Sequence, residues 1–567
     1  MNNNIKAEKQ NTYDAIVVGS GISGGLAAKE LTEKGLRVLM LERGRNVEHV
    51  KDYDTALMKP WEFKHRGRVT LEDRKRQPVQ TRGGMYSESN AKFWVNDMDC
   101  PYTEVKRFDW YRGYHVGGRS ITWGRGCLRL SEMDFAANAK DGYGVDWPVR
   151  YKDISPWYDY VERFAGISGQ NEGLAQLPDG MFLPPFEMNC VEKAVKERIE
   201  KHYSRARMMT IYRMANLTVP HNGRGSCQNR DLCDRGCPFG GYYSTQSASL
   251  PAAMATGNLT LRPFSIVSEV LYDKETRKAK GVMVIDSETN EHIVYSAKII
   301  FMNASTLGTT QILLNSTSDV FPDGFGNSSG QLGHNLMDHH FQVGASGRAE
   351  GFDDKYYYGR RPVGVYIPRY RNLGDKPERD YLRGFHYGGG ASRTGWERAI
   401  PEMSFGKGFN EDITEPGPWT MGLGSFGEHL PEFKNRAFLD RTKKDKWGLP
   451  LLAVDCEFGE NERKMRIDMK NDAAEILEAA GMKDVQSFDQ PAIPGMAIHE
   501  MGTARMGHDP KTSVLNKWNQ MHDVKNVFVT DGAFMTSSAC QNPSLTYMAF
   551  TARACDHAVN ELKKGNL

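Results

Sequence analysis

The sequence predicts an α/β protein in which a parallel-sheet unit carries a second layer built on an antiparallel sheet. Three observations lead there: a strand, glycine turn, helix and strand in succession over residues 13–42, a clean strand and long helix over 526–563, and between them a stretch, 340–490, rich in Gly, Pro and aromatic residues. The 567 residues leave room for two to four domains at roughly 150 residues each, or for one large core with insertions.

Asp14-Ala-Ile-Val-Val-Gly19 is a short continuous apolar run, as a strand buried on both faces reads. Ser20 to Lys34 sets Ile22, Leu26, Ala27 and Leu31 near helical spacing, and Gly35 stands where a left-handed residue ends a helix. Leu36 to Glu42 reads as a second strand ending in a carboxylate. Residues 46–112 lack strong periodicity and predict loops and insertions. Ser265 to Tyr272, Ala279 to Ile285 and His292 to Phe301, separated by polar turns, predict an antiparallel meander, followed by a helix from Ser305 to Asn315. At the far end Asn526 to Thr530 predicts a strand. Pro543 to Lys563 predicts a helix with Pro543 at its first position and Leu545, Ala549, Ala552, Val559 and Leu562 inward.

Apolar residues at 39% and charged residues at 25% exclude disorder, collagen and coiled coil. A net charge of +2 provides no field for an anionic polymer, so no nucleic-acid partner is expected. Apolar runs such as Ile299 to Met302 fall far short of the roughly 20 residues that cross a bilayer, so no transmembrane segment of its own is expected. Met1 to Gln10 is polar and has no apolar core of a secretion signal, so export is expected only through a partner. Nine scattered cysteines argue against a disulfide framework.

Gly19-x-Gly21-x-x-Gly24 lies between the first strand and helix, and Glu42 follows eighteen residues after Gly24. That pattern suits a dinucleotide: Gly19 for the turn, Gly21 for close approach to a pyrophosphate, Gly24 for helix packing, Glu42 for a ribose diol, and a helix N-terminus for the anion. Further motifs follow in order: Tyr114 to Gly126 with Gly117, Gly118 and Ser120; Asn303 to Gln311; His499-Glu-Met-Gly-Thr503; Thr530-Asp531-Gly532; and Gln541-Asn542-Pro543.

Jointly, from Tyr13 to the last helix, these motifs resemble the glucose-methanol-choline (GMC) flavoprotein oxidoreductases. The resemblance implies a GMC-type Rossmann-like FAD-binding domain over 12–160, 222–335 and 490–567, and a discontinuous α+β substrate-binding domain over 161–221 and 336–489. It implies that Gly19, Gly21, Gly24, Glu42 and Arg43 hold the ADP half of FAD. Gly117, Gly118 and Ser120 would pass over the pyrophosphate and flavin, Val267 would meet adenine through its backbone, and Asp531, Gly532, Asn542 and Pro543 would hold the isoalloxazine. The last helix would point its positive end at negative charge on the flavin. His115 precedes the flavin loop, where some relatives attach FAD covalently; covalent attachment is the exception.

Oxidising an alcohol removes a hydroxyl proton and a carbon-bound hydride nearly together, which calls for a base of near-neutral pKa. By resemblance His499 is that base, and Asn542, forty-three residues on, hydrogen-bonds the developing alkoxide. Asn542 before Pro543 also reads as a helix cap. A flavin electron-transfer subunit without turnover would lack this pair, and a nicotinamide reductase would show flavin bleaching by NADH.

Cys227, Cys233 and Cys237 fall within eleven residues and read either as a metal or iron–sulfur site or as three unrelated thiols. Zinc would need a fourth ligand, for which His221 and Cys190 are the nearby candidates. The run resembles that of bacterial FAD-dependent sugar dehydrogenases related to the gluconate 2-dehydrogenase large subunit, which implies a [3Fe-4S] cluster on the three cysteines. It also implies a dehydrogenase rather than an oxidase, with a small helper subunit bearing the export signal and a cytochrome c-type acceptor. The implied location is periplasmic, with the cytoplasm as the alternative. The aromatics Tyr356, Tyr357, Tyr358, Phe385, Tyr387, Trp396, Trp419 and Phe426 could stack on sugar faces or fill a core. Within this branch the chain looks most like glucoside 3-dehydrogenases, which give 3-keto sugars. Gluconate or polyol oxidation, or an O2-using alcohol oxidase, is the alternative.

Overall fold

The computed structural model describes residues 11–355, 362–393, 406–412 and 416–567. At its centre Thr12–Val18 lies between Val38–Leu41 and His292–Met302, parallel to both, in a seven-stranded sheet. Ile16 and Val18 point into one core while Ala15 and Val17 point into another, so both faces are covered and the sequence of the strand shows no polar alternation. Leu259–Arg262 extends the sheet beyond Val38–Leu41, again in parallel.

His292–Met302 is the pivot. Thr12–Val18 holds one of its edges, so its two other partners share the opposite edge. Lys278–Asp286 pairs antiparallel along residues 292–296, and Val527–Val529 pairs parallel along residues 300–302. The meander from Ser265 therefore peels away where the C-terminal strand enters. The exchange brings Thr530 beside Asn303, whose Nδ2 donates to Thr530 Oγ1 at 2.7 Å, outside the carboxyl ends of the parallel strands. Ligands of open α/β sheets bind at such a place.

Ile22–Glu33 and Ser544–Lys563 pack on each other against this sheet. Leu545, Ala549, Ala552 and Val559 are buried, and Leu562 is partly so. Pro543 is the capping residue, with φ −84°, one place earlier than the first helical position expected of it. Residues 46–112 hold short helical segments, of which Leu71–Arg76, capped by Thr70, is the longest, and the two-residue strand Thr103–Glu104.

The second layer is a six-stranded antiparallel sheet in the order Lys483–Asp489, Val343–Ala349, Trp419–Gly427, Phe385–Arg393, Val365–Ile367, Thr210–Ile211. Glu460–Ala479 and Cys190–Tyr203 share a core with it, through Met465, Met469, Ile476, Val191 and Ile199. A hairpin, Arg436–Lys444 and Pro450–Asp455, forms a third sheet with Thr103–Glu104. Among the described residues no helix is long and apolar enough to cross a membrane.

Candidate active site

A cavity of about 480 Å³ has the first glycine turn at one end and His499 at the other. At the turn Gly19 adopts φ +97°, and a Cβ there would lie 2.3 Å from the Asn303 carbonyl oxygen. A Cβ on Gly24 would lie 2.0 Å from the Gly19 carbonyl oxygen, so the helix can approach the turn only with glycine at that place. The helix begins with no side-chain cap and no acidic residue in its first turn, which leaves its first N–H groups to an anion. Glu42 is buried at the end of Val38–Leu41 and accepts from Ser20 N (3.2 Å), Ser20 Oγ (2.5 Å) and Gly44 N (2.9 Å); burial raises its carboxyl. Arg43 lies between the rings of Tyr114 (4.8 Å) and Trp447 (5.2 Å).

The second glycine loop locks onto the first, because Gly117 N donates to Ser20 Oγ at 2.9 Å. Gly118 and Ser120 line the cavity, whereas Gly117 sits behind its wall against Gln246. Val267, Asp531, Gly532 and Pro543 also line it. The Asp531 carboxyl accepts from Thr309 Oγ1 (2.5 Å) and Ala533 N (3.0 Å), and burial pushes it up to about 7. A helix N-terminus with no capping side chain, a buried carboxyl at the end of the next strand and a second glycine loop hydrogen-bonded to the first fit FAD. His115 is not on the cavity wall; its ring packs on Phe93 at 5.4 Å.

At the other end the structure brings His499 and Asn542 together, with Asn542 Nδ2 3.5 Å from His499 Nε2. Asn542 does not cap the helix. Its Oδ1 accepts from Tyr212 Oη at 2.6 Å, and this fixes the amide with its NH2 group toward His499. Tyr212 Oη in turn lies 3.4 Å from His386 Nε2. Phe341, Phe426 and His386 stack into one wall, with ring centroids 5.3 and 5.5 Å apart. Burial, helped by His339, Arg119 and His386, holds His499 well below the usual histidine pKa, so its imidazole is neutral at pH 7.

The backbone carrying His499 is pinned. Asp338 accepts from the N–H groups of Gly495 (2.7 Å), Ala497 (3.3 Å) and His499 (3.0 Å), and Ile498 between them adopts φ +61°. Burial and nearby Glu500 push Asp338 up to about 7. Glu500 pairs with Arg119 of the second glycine loop at 2.9 Å. Tyr212, His386, His339 and Asp338 complete the site without belonging to any of the sequence motifs above. Asp338-His339-His340 is a visible cluster of polar chemistry, but Tyr212 carries no motif at all.

Cys227, Cys233 and Cys237 lie behind the second glycine loop, where Tyr242 Oη bridges the carbonyls of Ile121 (2.5 Å) and Cys233 (3.1 Å). All three are free thiols, and burial raises Cys227 and Cys233. Among the described residues no group of three or more His, Cys, Asp or Glu could hold a metal ion, so the cluster expected on these cysteines finds no support here. His221 is engaged with the Arg163 carbonyl at 2.7 Å, and Cys190 packs against the second core. Of the aromatics, Phe426 lines the cavity, Phe385, Tyr387 and Trp419 are buried in the second core, and Tyr356, Tyr357, Tyr358 and Trp396 lie outside the described residues.

Family models of GMC oxidoreductases match residues 13–341 and 434–551. This chain belongs to the GMC oxidoreductase family. It is an FAD-dependent oxidoreductase acting on CH–OH groups. Among curated relatives, a 2-methyl-1,2-propanediol dehydrogenase of Mycolicibacterium austroafricanum is 29% identical over 96% of this chain and 94% of its own. A fructose dehydrogenase large subunit of Gluconobacter japonicus is 27% identical over 97% and 98%. A gluconate 2-dehydrogenase flavoprotein of Pantoea cypripedii is 24% identical over 96% and 93%. The crystal structure of pyridoxine 4-oxidase from Mesorbium loti shares the fold, with TM-score 0.61 and 17% identity over 96% of this chain and 98% of that one.

Proposed function

We propose that this chain oxidises a secondary hydroxyl of a sugar or glycoside, at C3 of glucosides, to the ketone. The observation that carries the reading is the His499–Asn542 pair facing the cavity, with the Asn542 amide fixed by Tyr212. A hydroxyl oxygen about 2.8 Å from each nitrogen sits at the apex of a triangle on their 3.5 Å base. There it donates its hydrogen to His499 Nε2 and accepts from Asn542 Nδ2. His499 takes the proton as the carbinol carbon loses hydride, and Asn542 stabilises the charge that grows on oxygen. FAD, when bound, supplies the hydride acceptor. Phe341 and Phe426 offer a flat apolar wall to the C–H face of a sugar ring and exclude water.

In this reading the FAD-binding domain comprises 12–160, 222–335 and 490–567, and the substrate-binding domain 161–221 and 336–489. The names of the fructose and gluconate relatives, a large subunit and a flavoprotein, support a multi-subunit dehydrogenase. The small helper subunit, the cytochrome c-type acceptor and the periplasmic location are part of the proposal and rest on the resemblance of the cysteine run. No step above runs through an iron–sulfur cluster. Iron and acid-labile sulfide, assayed on the purified protein and again on Cys233→Ser, test the [3Fe-4S] cluster separately.

The substrate is tested by mixing FAD-loaded protein anaerobically with methyl glucoside, glucose, gluconate or NADH and following flavin absorbance. Bleaching by the glycoside, with a 3-keto product in the NMR spectrum, supports the reading. Bleaching by gluconate alone moves the substrate to acids and polyols, rapid recolouring in air makes the protein an oxidase, and bleaching by NADH alone refutes the reading.

A further inference from the structure

His339 stands behind His499, 1% exposed and off the cavity wall. Its Nε2 lies 2.8 Å from the Ala539 carbonyl oxygen, and its Nδ1 lies 2.8 Å from His499 Nδ1. The order of donors follows from chemistry. A carbonyl oxygen only accepts, so His339 Nε2 carries a hydrogen. Burial pushes His339 down to about 4, so the ring is neutral at pH 7 and its Nδ1 is a bare lone pair. Two nitrogens at hydrogen-bond distance share one hydrogen, which His499 Nδ1 must then supply. Neutral His499 has only that one N–H, so its Nε2 is bare, and Nε2 is the atom that faces Asn542.

We propose that His339 is a positioning residue that selects the tautomer of His499. The relay runs from the Ala539 carbonyl through His339 to His499 Nδ1, and it keeps the Nε2 lone pair of His499 aimed into the cavity. The proposal rests on the reading of His499 as the base, because only the Nδ1–H tautomer can accept a hydroxyl proton at Nε2. With no acceptor behind it, the imidazole is free to carry its hydrogen on Nε2, and that form cannot act.

The backbone supports the same assignment. Ala539, whose carbonyl anchors the relay, adopts φ +51°, and Ile498, which precedes His499, adopts φ +61°. Both residues carry a Cβ in the left-handed region, and Ile498 is β-branched as well, so each conformation is disfavoured and must be held by its surroundings. Strain on both sides of a two-ring contact marks the contact as the thing being held. Asp338, adjacent in sequence, pins the backbone of the same loop, so one dipeptide orients both the main chain and the ring of His499.

The test compares His339→Leu with His339→Asn in the FAD-loaded protein. Asn carries its Oδ1 as many bonds from Cβ as His carries Nδ1, so it can restore the acceptor behind His499. Leu removes the acceptor and leaves the His499 Nδ1–H unpaired. In His339→Leu, kcat for methyl glucoside is expected to fall roughly 5- to 150-fold with FAD content and KM little changed, and His339→Asn to recover most of it. Histidine 15N spectra, with His499 assigned by its loss in His499→Gln, report the tautomer without any substrate. A pyridine-type Nε2 is expected in the wild type and in His339→Asn, and a shift toward the pyrrole type in His339→Leu. A pyrrole-type Nε2 in the wild type, an unchanged rate in His339→Leu, or a loss that Asn does not repair overturns the proposal. A chain that oxidises no sugar yet shows the pyridine-type signal sinks the substrate reading alone and leaves the tautomer assignment standing.

Discussion

Tyr212→Phe isolates one hydroxyl and asks what it does for the site. The ring is held by its edge contact with Tyr366, at 4.9 Å, so Phe keeps the packing and loses only Oη. That atom donates to Asn542 Oδ1 at 2.6 Å. Without it the amide oxygen is left with no donor and the carboxamide is free to flip. The flipped form points Oδ1 at the bare His499 Nε2, two acceptors facing each other, and offers no donor to a developing alkoxide. An unpaired buried polar atom costs about 1–3 kcal/mol, which corresponds to a roughly 5- to 150-fold loss in rate. Because Asn542 matters most as charge grows on oxygen, the loss should fall on kcat more than on KM. Anaerobic stopped-flow reduction of the bound flavin by methyl glucoside measures it, with FAD content and Tm as controls. A Tyr212→Phe protein that keeps its FAD and reduces it within twofold of the wild-type rate refutes the fixed-amide argument.

Two further perturbations reach other parts of the molecule. Gly24→Val puts a branched side chain where even a Cβ lies 2.0 Å from the Gly19 carbonyl oxygen, so the protein should purify colourless, as the absorbance spectrum will show. For pH, the proposed mechanism uses the neutral form of His499 as the base, and burial holds its folded pKa below 6.5. Thus kcat/KM is full above that pKa and is lost as pH falls through it, with an acid limb below 6.5. A limb near 7 contradicts this and points instead to protonation of Asp338.

Much of this was legible in the chain itself, and the rest was hidden for identifiable reasons. Ala15 to Val18 reads as a strand buried on both faces because it is one, and the meander from Ser265 announces itself through its turns. His499 and Asn542 sit in recognisable motifs at opposite ends of a short stretch, and they meet. The aromatics were ambiguous because their role depends on which face of a strand each occupies. In Trp419–Gly427 alternate residues are buried, so Trp419 falls in the core and Phe426, of opposite parity, on the cavity side. Phe426 pairs with His386 across the sheet, which brings that histidine into the same wall while Phe385 and Tyr387 face away into the core. Register of this kind is set by long-range pairing that no local pattern encodes. Tyr212 is 330 residues from Asn542 and His339 is 160 from His499, so their contacts have no signature in spacing. The three cysteines show the opposite case, a suggestive spacing that finds no metal-binding group of three or more side chains to match it among the described residues.

The most direct measurement is the flavin half-reaction of His499→Ala. The variant should bind FAD like the wild type, because His499 contributes nothing to the glycine turn or to the Glu42 end of the cavity. Its rate of flavin reduction by substrate should fall by about 10²–10⁴, the usual contribution of a positioned base. A yellow His499→Ala protein whose flavin bleaches at the wild-type rate would contradict the account at its centre.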